Sequence, residues 1–551
     1  MQKSYKGALG AAAAVVLGGV VIFANVMFKE DVKPSQNAVV KEDASKDGGG
    51  IEHGEDDPAD IAKDFTVSYE GIKTDMTSVG LSVHDPSIFK DGDKYYIYGS
   101  HQASAVSSDL KEWANLFHEE YATNAVFEEI VNDDKTFVYS GRGDSAISTD
   151  DGGLHIWAPD MIYNKAMKKY CLYFCTSSTY MSSNLAFATS DSAEGPFRFQ
   201  KAFIYSGYNG ELLDKTDVLD YVDKDYVNSH YIELDGEGGY DNRNYPNAID
   251  PTVFYDKDGK LWMVYGSWSG GIFLLELDEN TGEPIHPEAD EANDVDPYYG
   301  KRLLGGGHTS IEGPYILYDE NTDYYYLFVS YGGLAQKGGY QIRVFRSKDV
   351  DGEYVDMSGK RPMIGTGNPA FTGLKLSGNY RLPGLTEAYM ATGHNSAFVD
   401  DKDNKSYIVY HTRFENRGEY HEPRVHQYIA NEEGWPCMLP YSTDGETVSE
   451  EGYDTDKVVG MYYVINQGMK VNAEIAEPIM LQLTAKGNVY GNGITGTWDK
   501  KDGSCYMSIT YDDKEYKGVF CEMNDEAGAK VMTFSAVGSN ESVWGVKYEQ
   551  K

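Results

Sequence analysis

Five stretches of the chain repeat one pattern of apolar and polar positions. Each has a short β-prone run, a polar turn, and then a Tyr-rich run in which apolar and polar residues alternate with a period of two. The turns read DGD, NKAMKK, DKDGK, DENTD and DKDNK, and the stretches begin at Val83, Trp157, Ala248, Ile311 and Gly393. Each stretch predicts a β-hairpin, and the spacing leaves room for two more strands per unit.

Repeated four-stranded units predict a β-propeller, and five copies predict five blades. The innermost strand of each blade starts beside the central axis, so the first residues of the repeats face one cavity. These are Asp85, the turn 157–160, Asp250, Glu312 and His394. Because converging carboxylates repel one another, a structural role does not readily account for three of them at one place.

A structural explanation does exist for the two Asp-Pro pairs. Asp before Pro is a common turn starter, so Asp85 and Asp250 taken singly fit a structural role as well as a functional one. Glu312 has no such explanation, and the set together predicts a catalytic centre. The DGDK and DKDGK turns lack the Gly and the twelfth-position Glu of an EF-hand, and they are predicted to be hairpin turns.

The repeat stops after about Tyr453, which places the propeller at 67–450. Short alternating runs follow and predict about six antiparallel strands in a small β-barrel or sandwich over 455–551. We find no catalytic constellation in this second domain. Its expected role is carbohydrate binding or packing against the propeller, and the chain as a whole is predicted to be all-β.

The amino-terminal segment has the outline of an export signal. Lys3 and Lys6 precede an apolar run that reaches Phe28, so 1–28 is predicted to be a signal peptide or a signal anchor. The acidic stretch 29–66 has the composition of a disordered linker. We therefore expect a secreted or surface-anchored monomer that contacts a membrane only through an uncleaved leader.

The charge argues against a nucleic-acid-binding protein, and the cysteines argue against a disulfide framework. A formal net charge of −39, from 87 acidic and 48 basic residues, argues against binding to nucleic acid. Cys171 and Cys175 lie about 13 Å apart along one strand and cannot bridge. Cys505 and Cys521 lie on neighbouring predicted strands where a bridge is feasible, and Cys437 is left over. Free, buried thiols are expected for most of the five.

The motifs as a set resemble glycoside hydrolase family 43, and within it the two-domain extracellular endo-α-1,5-L-arabinanases. The resemblance covers roughly 70–551 and is carried by VHDPS, WAPDMIYNKAMKKY, NAIDPTVFYDKDGKLWMVYGSWSGGI, YGKRLLGGGHTSIEGPYI, GHNSAF, YHTRF, HEPRVHQYIANEEGWP, YKGVF, VMTFSAV and SVWGVK. It implies a five-bladed propeller that cleaves internal α-1,5-arabinofuranosyl bonds of arabinan with inversion.

The resemblance also implies a role for each carboxylate. Asp85 would be the general base that activates water, and Glu312 the general acid that protonates the leaving oxygen, with about 6.5 to 9.5 Å between the two carboxyls. Asp250 would hold Glu312 and raise the pKa of that acid.

A calcium ion and a set of sugar-binding residues follow from the same resemblance. His394 in GHNS matches an axial histidine beside a calcium ion, which would be coordinated largely by water because calcium prefers oxygen ligands. The alternative is a histidine hydrogen-bonded in the channel without metal. The implied substrate-binding residues are Asn247, Ala248, Ile249, Asp250, Ser267, Trp268, Ser269 and, as a stacking face, Trp157. Arg413 and His308 are further candidates for the cavity wall.

Three alternatives remain open at the level of sequence. A long polar insertion at 205–245 that blocked the groove would make the enzyme exo-acting, as an α-L-arabinofuranosidase or a β-xylosidase on the same scaffold. A non-catalytic surface glycan-binding protein would need no acid of raised pKa. A calcium-stabilised adhesion propeller would lose little when Glu312 is changed.

Overall fold

The computed structural model describes residues 50–76, 78–116, 126–141, 156–179, 182–233 and 238–548. The predicted leader at 1–28 and the first part of the predicted linker lie outside these ranges. Within them, no helix combines the length and the apolar character needed to cross a bilayer.

Five antiparallel sheets form the five predicted blades. Blade 1 contains β1 to β4: Ser87–Asp91, Lys94–Tyr98, Ser104–Ser107 and Ala114–Asn115. Blade 2 contains β5 to β8: Ile156–Asn164, Lys169–Thr179, Ser182–Ser190 and Arg198–Ser206. Blade 3 has six strands, β9 to β14: Thr252–Tyr255, Leu261–Tyr265, Ile272–Leu277, Pro284–Ile285, Val295–Asp296 and Gly300–Leu304.

The last two blades again have four strands each. Blade 4 contains β15 to β18: Ile311–Asp319, Tyr324–Tyr331, Gln341–Ser347 and Leu374–Ser377. Blade 5 contains β19 to β22: Tyr389–Val399, Ser406–Phe414, His421–Ala430 and Pro436–Met438. The described α-helices are short, α1 to α3: Glu128–Asn132, Lys224–His230 and Thr455–Val458.

The inner strands close into a ring around the axis. Strand β1 contacts both β5 and β19, so the first blade meets the last. The Ser396 hydroxyl fixes this junction, because it accepts from the Ile88 amide at 3.0 Å and donates to the Pro86 carbonyl at 2.8 Å. Between blades 3 and 4, Thr252 Oγ1 donates to the Pro314 carbonyl at 2.9 Å. The ring therefore holds the starts of the inner strands in fixed positions.

Asp160 in the WAPD segment joins three blades. One carboxylate oxygen accepts from the Ser87 hydroxyl, and the other accepts from the Val253 amide at 2.7 Å. The residue is 1% exposed, and burial raises its pKa to about 7. Asp160 therefore links the inner strands of blades 1, 2 and 3.

The carboxy-terminal domain is a closed barrel of eight strands, where the sequence predicts about six. Its strands β23 to β30 are Gly460–Asn466, Ile479–Leu483, Asn488–Gly491, Ile494–Lys500, Tyr506–Tyr511, Lys514–Asn524, Lys530–Gly538 and Glu541–Lys547. The run GNVYGNGITGTWD makes two strands instead of one, and GMYYVIN adds another that pairs with β30. One apolar cluster spans blades 4 and 5 and the barrel, with Trp544 against Tyr380 at 5.0 Å.

The described part of the acidic amino-terminal stretch, 50–66, runs along the barrel. The Ile51 amide donates to Asp499 at 3.0 Å, and the Ala62 amide donates to Gln482 at 2.8 Å. These residues are thus hydrogen-bonded to the second domain in the structure.

The insertion before blade 3 packs through tyrosines onto Tyr299, the residue before β14. Tyr231 and Tyr240 meet the Tyr299 ring edge to face, Tyr245 meets it at a tilt, and the hydroxyls of Tyr208 and Tyr299 lie 3.0 Å apart.

The five cysteines are free, including Cys505 and Cys521, for which the sequence left a bridge feasible. Four are buried and Cys505 is partly exposed, in line with the free, buried thiols predicted for most of them.

Candidate active site

The five inner strands begin with the same unusual backbone. Asp85, Ala158, Asp250, Gly313 and His394 occupy equivalent places and have φ of 54°, 40°, 56°, 57° and 47°. A residue other than glycine is uncommon in this left-handed region, and such strain concentrates at functional sites. The shared bend aims Asp85, Asp250 and His394 at the axis.

Glu312 does not share that position. It lies one residue before the equivalent place, which Gly313 occupies, and the register of β15 shifts between Glu312 and Tyr315. Our assignment of Glu312 to the equivalent position is therefore wrong by one residue. The bulge nevertheless leaves the Glu312 side chain in the cavity, because both of its carboxylate oxygens contact cavity residues.

Asp85 is surrounded by imidazoles and one hydroxyl. Nδ1 of His84 lies 2.8 Å from its Oδ1, and Nδ1 of His394 lies 2.9 Å from the same atom. Ser100 donates to Oδ2, and the same hydroxyl accepts from the Ala158 amide at 2.9 Å. The carboxylate is 6% exposed and is held from both of its oxygens.

This environment keeps Asp85 ionised. Burial would raise the pKa of Asp85, but the charges of His394 and His84 outweigh it and hold the pKa well below its usual range. Burial in turn lowers the pKa of His394, and the charge of Asp85 reverses this and raises it to about 9. Asp85 and His394 therefore form an ion pair at neutral pH.

Glu312 is held by neutral donors. Trp268 Nε1 donates to its Oε2 at 2.8 Å and Ser267 Oγ donates to the same oxygen at 3.1 Å. The Tyr340 hydroxyl donates to Oε1 at 2.8 Å. The two acids thus have different surroundings, because Asp85 faces imidazoles and Glu312 faces uncharged groups.

Asp250 interacts electrostatically with both Asp85 and Glu312. Its Oδ2 accepts from the Gly313 amide at 3.2 Å. The pKa of Asp250 is raised to about 7, chiefly by burial. The charge of His394 opposes this rise, and the charges of Glu312 and Asp85 contribute to it. A Cβ at Gly313 would lie 3.0 Å from the His394 ring, so this glycine lets the imidazole approach.

Contacts from blade 5 also support Asp85. The Asp85 amide donates to Nδ1 of His411 at 3.3 Å, and the His84 and His411 rings stack at 4.2 Å. Arg413, a candidate from the sequence, lies 3.2 Å from His411 Nε2 and 3.5 Å from His84 Nε2, and it bonds Glu419 at 2.7 Å. Arg413 thus orients the imidazoles beside Asp85.

Sequence reasoning missed three residues that contact the carboxylates of the cavity: Ser100, Tyr340 and His84. Ser100 and Ser267 both end a Tyr-Gly-Ser run, in YGSH and YGSW, and each hydrogen-bonds a carboxylate of the cavity. That repeated triplet is a signal that would have identified Ser100. Tyr340 carries no comparable signal, because its partner Glu312 lies on another strand. His84 directly precedes its partner Asp85, and that adjacency was the available signal.

The residues predicted to bind sugar fall into two groups. Trp268 is partly exposed and contacts Glu312, and its ring lies 5.6 Å from that of His308. Trp157 is also partly exposed and meets His101 edge to face at 4.3 Å.

The other group is largely buried: Asn247, Ala248, Ser267 and Ser269 are 8%, 0%, 4% and 1% exposed, and Ile249 packs against the core of blades 2 and 3. The structure does not support sugar contact by the Ala248 side chain, because it lies fully inside that core.

One group of metal-ligating side chains is found among the described residues. Ligand atoms of His84, Asp85 and His411 lie within 4.8 Å of one another. Two imidazoles and a carboxylate suit a transition metal better than calcium, and the guanidinium of Arg413 against both imidazoles opposes any cation. His394 lies outside this group.

Comparison with known proteins agrees with the fold. Residues 229–436 match "Glycosyl hydrolases family 43", and residues 440–545 match "C-terminal lipocalin-like domain". "Extracellular endo-alpha-(1->5)-L-arabinanase 2" of Bacillus subtilis (strain 168) is 39% identical over 482 residues, which are 85% of this chain and 93% of the relative.

Two comparisons with proteins of Thermotoga petrophila give the same result. Its "Extracellular endo-alpha-(1->5)-L-arabinanase" is 38% identical over 485 residues, 85% of this chain and 94% of the relative. The crystal structure of an endo-1,5-alpha-L-arabinanase from Thermotoga petrophila RKU-1 aligns with a TM-score of 0.72 at 36% identity, and covers 87% of this chain and all of that one. On this identity and coverage, the chain belongs to glycosyl hydrolases family 43.

Proposed function

We propose that the protein is an inverting endo-α-1,5-L-arabinanase that cleaves internal bonds of arabinan. The observation that carries the proposal is the pair of unlike carboxylates in one cavity, with Asp85 held ionised by imidazoles and Glu312 held by uncharged donors. Inverting hydrolysis needs one carboxyl that accepts a proton and one that donates a proton. Relatives named as endo-arabinanases support the substrate.

In the proposed reaction, Asp85 accepts a proton from a water molecule, whose oxygen then bonds to the anomeric carbon. The bond from that carbon to the glycosidic oxygen breaks, and Glu312 gives its proton to that oxygen. Ser100 and the two imidazoles fix the direction of Asp85. Asp250 lies next to Gly313 and places a third acid beside the proton donor.

Calcium is a further part of the proposal. Nδ1 of His394 faces Asp85 at 2.9 Å, so Nε2 is the nitrogen that an ion would contact. A single nitrogen beside carboxylates fits an ion held largely through water, and the raised pKa of His394, about 9, means that an ion must compete with a proton. Chelation should lower the melting temperature of the wild type, and His394→Gln should remove that response.

The cellular location and assembly are also proposed here. Relatives named as extracellular support an extracellular enzyme, released or anchored through the leader at 1–28. We propose a monomer that reaches the membrane only through that leader.

The decisive experiment compares the wild type with Glu312→Gln on linear α-1,5-arabinan. Glutamine keeps the shape of the side chain and removes its acidic proton, so turnover should fall by about 10² to 10⁴-fold while binding persists. Short oligomers from the wild type establish endo action, and mainly monosaccharide establishes the exo-acting alternative. Binding of arabinan or xylan without release of sugar by the wild type would favour the glycan-binding alternative.

A further inference from the structure

A second cleft lies far from the catalytic carboxylates. It has a volume of about 700 Å³ and is lined by the hairpin turns of blades 4 and 5, by strand β21, and by Tyr506 of the barrel. Glu312 is the second residue of β15, and Asp319, the last residue of that strand, lines the cleft. Seven residues of strand correspond to about 23 Å. This seam cleft is therefore distinct from the catalytic cavity.

Four of the five acidic side chains that line the seam cleft have partners, and the fifth, Glu450, is exposed. The carboxylate contacts of the cleft with lysine are Asp403 to Lys405 at 3.3 Å, Glu432 to Lys501 at 2.5 Å, and Glu433 to Lys517 at 2.5 Å. Asp319 accepts from the Tyr428 hydroxyl at 3.2 Å and from the Asn321 amide at 2.9 Å. A cation would have to displace these partners, so the cleft favours an uncharged ligand.

One buried amide in the cleft points to a ligand that donates hydrogen bonds. Gln427 lines the cleft and is only 4% exposed, and its Oε1 has no hydrogen-bond partner among the described residues. A buried acceptor without a partner is costly, and such groups call for an explanation. A hydroxyl group of a ligand in the cleft would satisfy it.

The remaining lining suits a sugar chain. Asn321 and Asn404 lie at the rim and bond each other at 2.7 Å, and Lys405 adds a donor. The ring of Tyr506 is half-buried, so it offers one apolar surface. Hydroxyl-rich, uncharged ligands with apolar C–H faces need this combination of amides, carboxylates and an aromatic ring.

We propose that the seam cleft binds a neutral oligosaccharide. If the proposed function is right, the ligand is a segment of arabinan separate from the one being cleaved. Because the cleft is formed jointly by the propeller and the barrel, this assigns the barrel a part in holding polymeric substrate.

The test measures arabinohexaose binding by titration calorimetry on the full chain carrying Glu312→Gln, which leaves both sites intact. Two equivalents are expected. Adding Tyr506→Ala should weaken one of them about tenfold, as loss of an aromatic contact often does. Adding Gln427→Leu should weaken the same equivalent without lowering the melting temperature, since it removes an unpartnered amide. Tyr163→Ala, at an exposed tyrosine of blade 2, is the control.

Kinetics in the wild-type background separate this inference from the proposed function. Tyr506→Ala should leave turnover of a short arabino-oligosaccharide unchanged and reduce the rate on the polymer. The inference would be overturned if only one equivalent of arabinohexaose bound and none of the variants altered its affinity. It would also be overturned if the protein bound calcium and Gln427→Leu or Tyr506→Ala abolished that binding. If the wild type cleaves no arabinan yet two equivalents bind, the proposed function fails and the seam cleft stands.

Discussion

Replacing Asp250 by asparagine should make the folded protein more stable at neutral pH, although the residue lies in the proposed catalytic cavity. In the folded state burial raises the pKa of Asp250 from 3.8 to about 7, with Glu312 and Asp85 adding to the effect. A raised carboxyl pKa means that the unfolded chain ionises first, so the unfolding free energy falls as pH rises from about 4 to 7. At about 1.36 kcal/mol per pH unit, the loss is about 4 kcal/mol.

Asparagine removes that titration and keeps an oxygen for the Gly313 amide. Urea unfolding at pH 4 and at pH 8 gives the unfolding free energy of the wild type and of Asp250→Asn. The quantity to compare is the stability of the variant minus that of the wild type at each pH. The variant should gain about 4 kcal/mol over the wild type between the two pH values. Asp93→Asn, at an exposed turn of blade 1, is the control and should gain nothing comparable.

The result that would refute this reasoning is a difference that stays constant with pH, or one that moves against the variant. Either outcome would mean that Asp250 is not held protonated by burial and its acidic neighbours. The arabinan turnover of the same variant should fall, because the cavity loses its third acid.

Three further outcomes follow from the contacts of the cavity. Trp268→Phe removes the 2.8 Å hydrogen bond to Glu312 and should lower kcat on arabinan about tenfold without changing the melting temperature. An unchanged kcat would show that the indole does not position Glu312. His394→Gln removes the main charge that lowers the pKa of Asp85, so the acid limb of the kcat/KM profile should move to higher pH, and a stationary limb would contradict the ion pair. Gly313→Ala places a Cβ 3.0 Å from His394 and should lower the melting temperature more than Gly418→Ala, because Gly418 has a similar φ but open space around it. Equal losses would mean that only backbone strain matters.

The sequence determined the propeller because each blade is a local unit. A hairpin is specified by alternation and by its turn, within about 20 consecutive residues, and the fivefold repeat makes that pattern visible. It also determined that Asp85, Asp250 and His394 share a cavity, since the ring puts equivalent positions together. The small barrel was predicted only as a class, because closure depends on β23 pairing with β30 at the other end of the domain.

Only the tertiary structure decided the chemical state of each acid. Asp85 is ionised because His84 precedes it and His394 arrives from blade 5, and Tyr340 reaches Glu312 from a different strand. The one-residue offset of Glu312 has a mark in the sequence, because Pro314 follows Gly313 as Pro86 follows Asp85 and Pro251 follows Asp250. Only the structure shows that the bulge still leaves the Glu312 side chain in the cavity. Charge, burial and hydrogen bonding at a point depend on every element that packs there, whereas a strand depends mainly on its own residues.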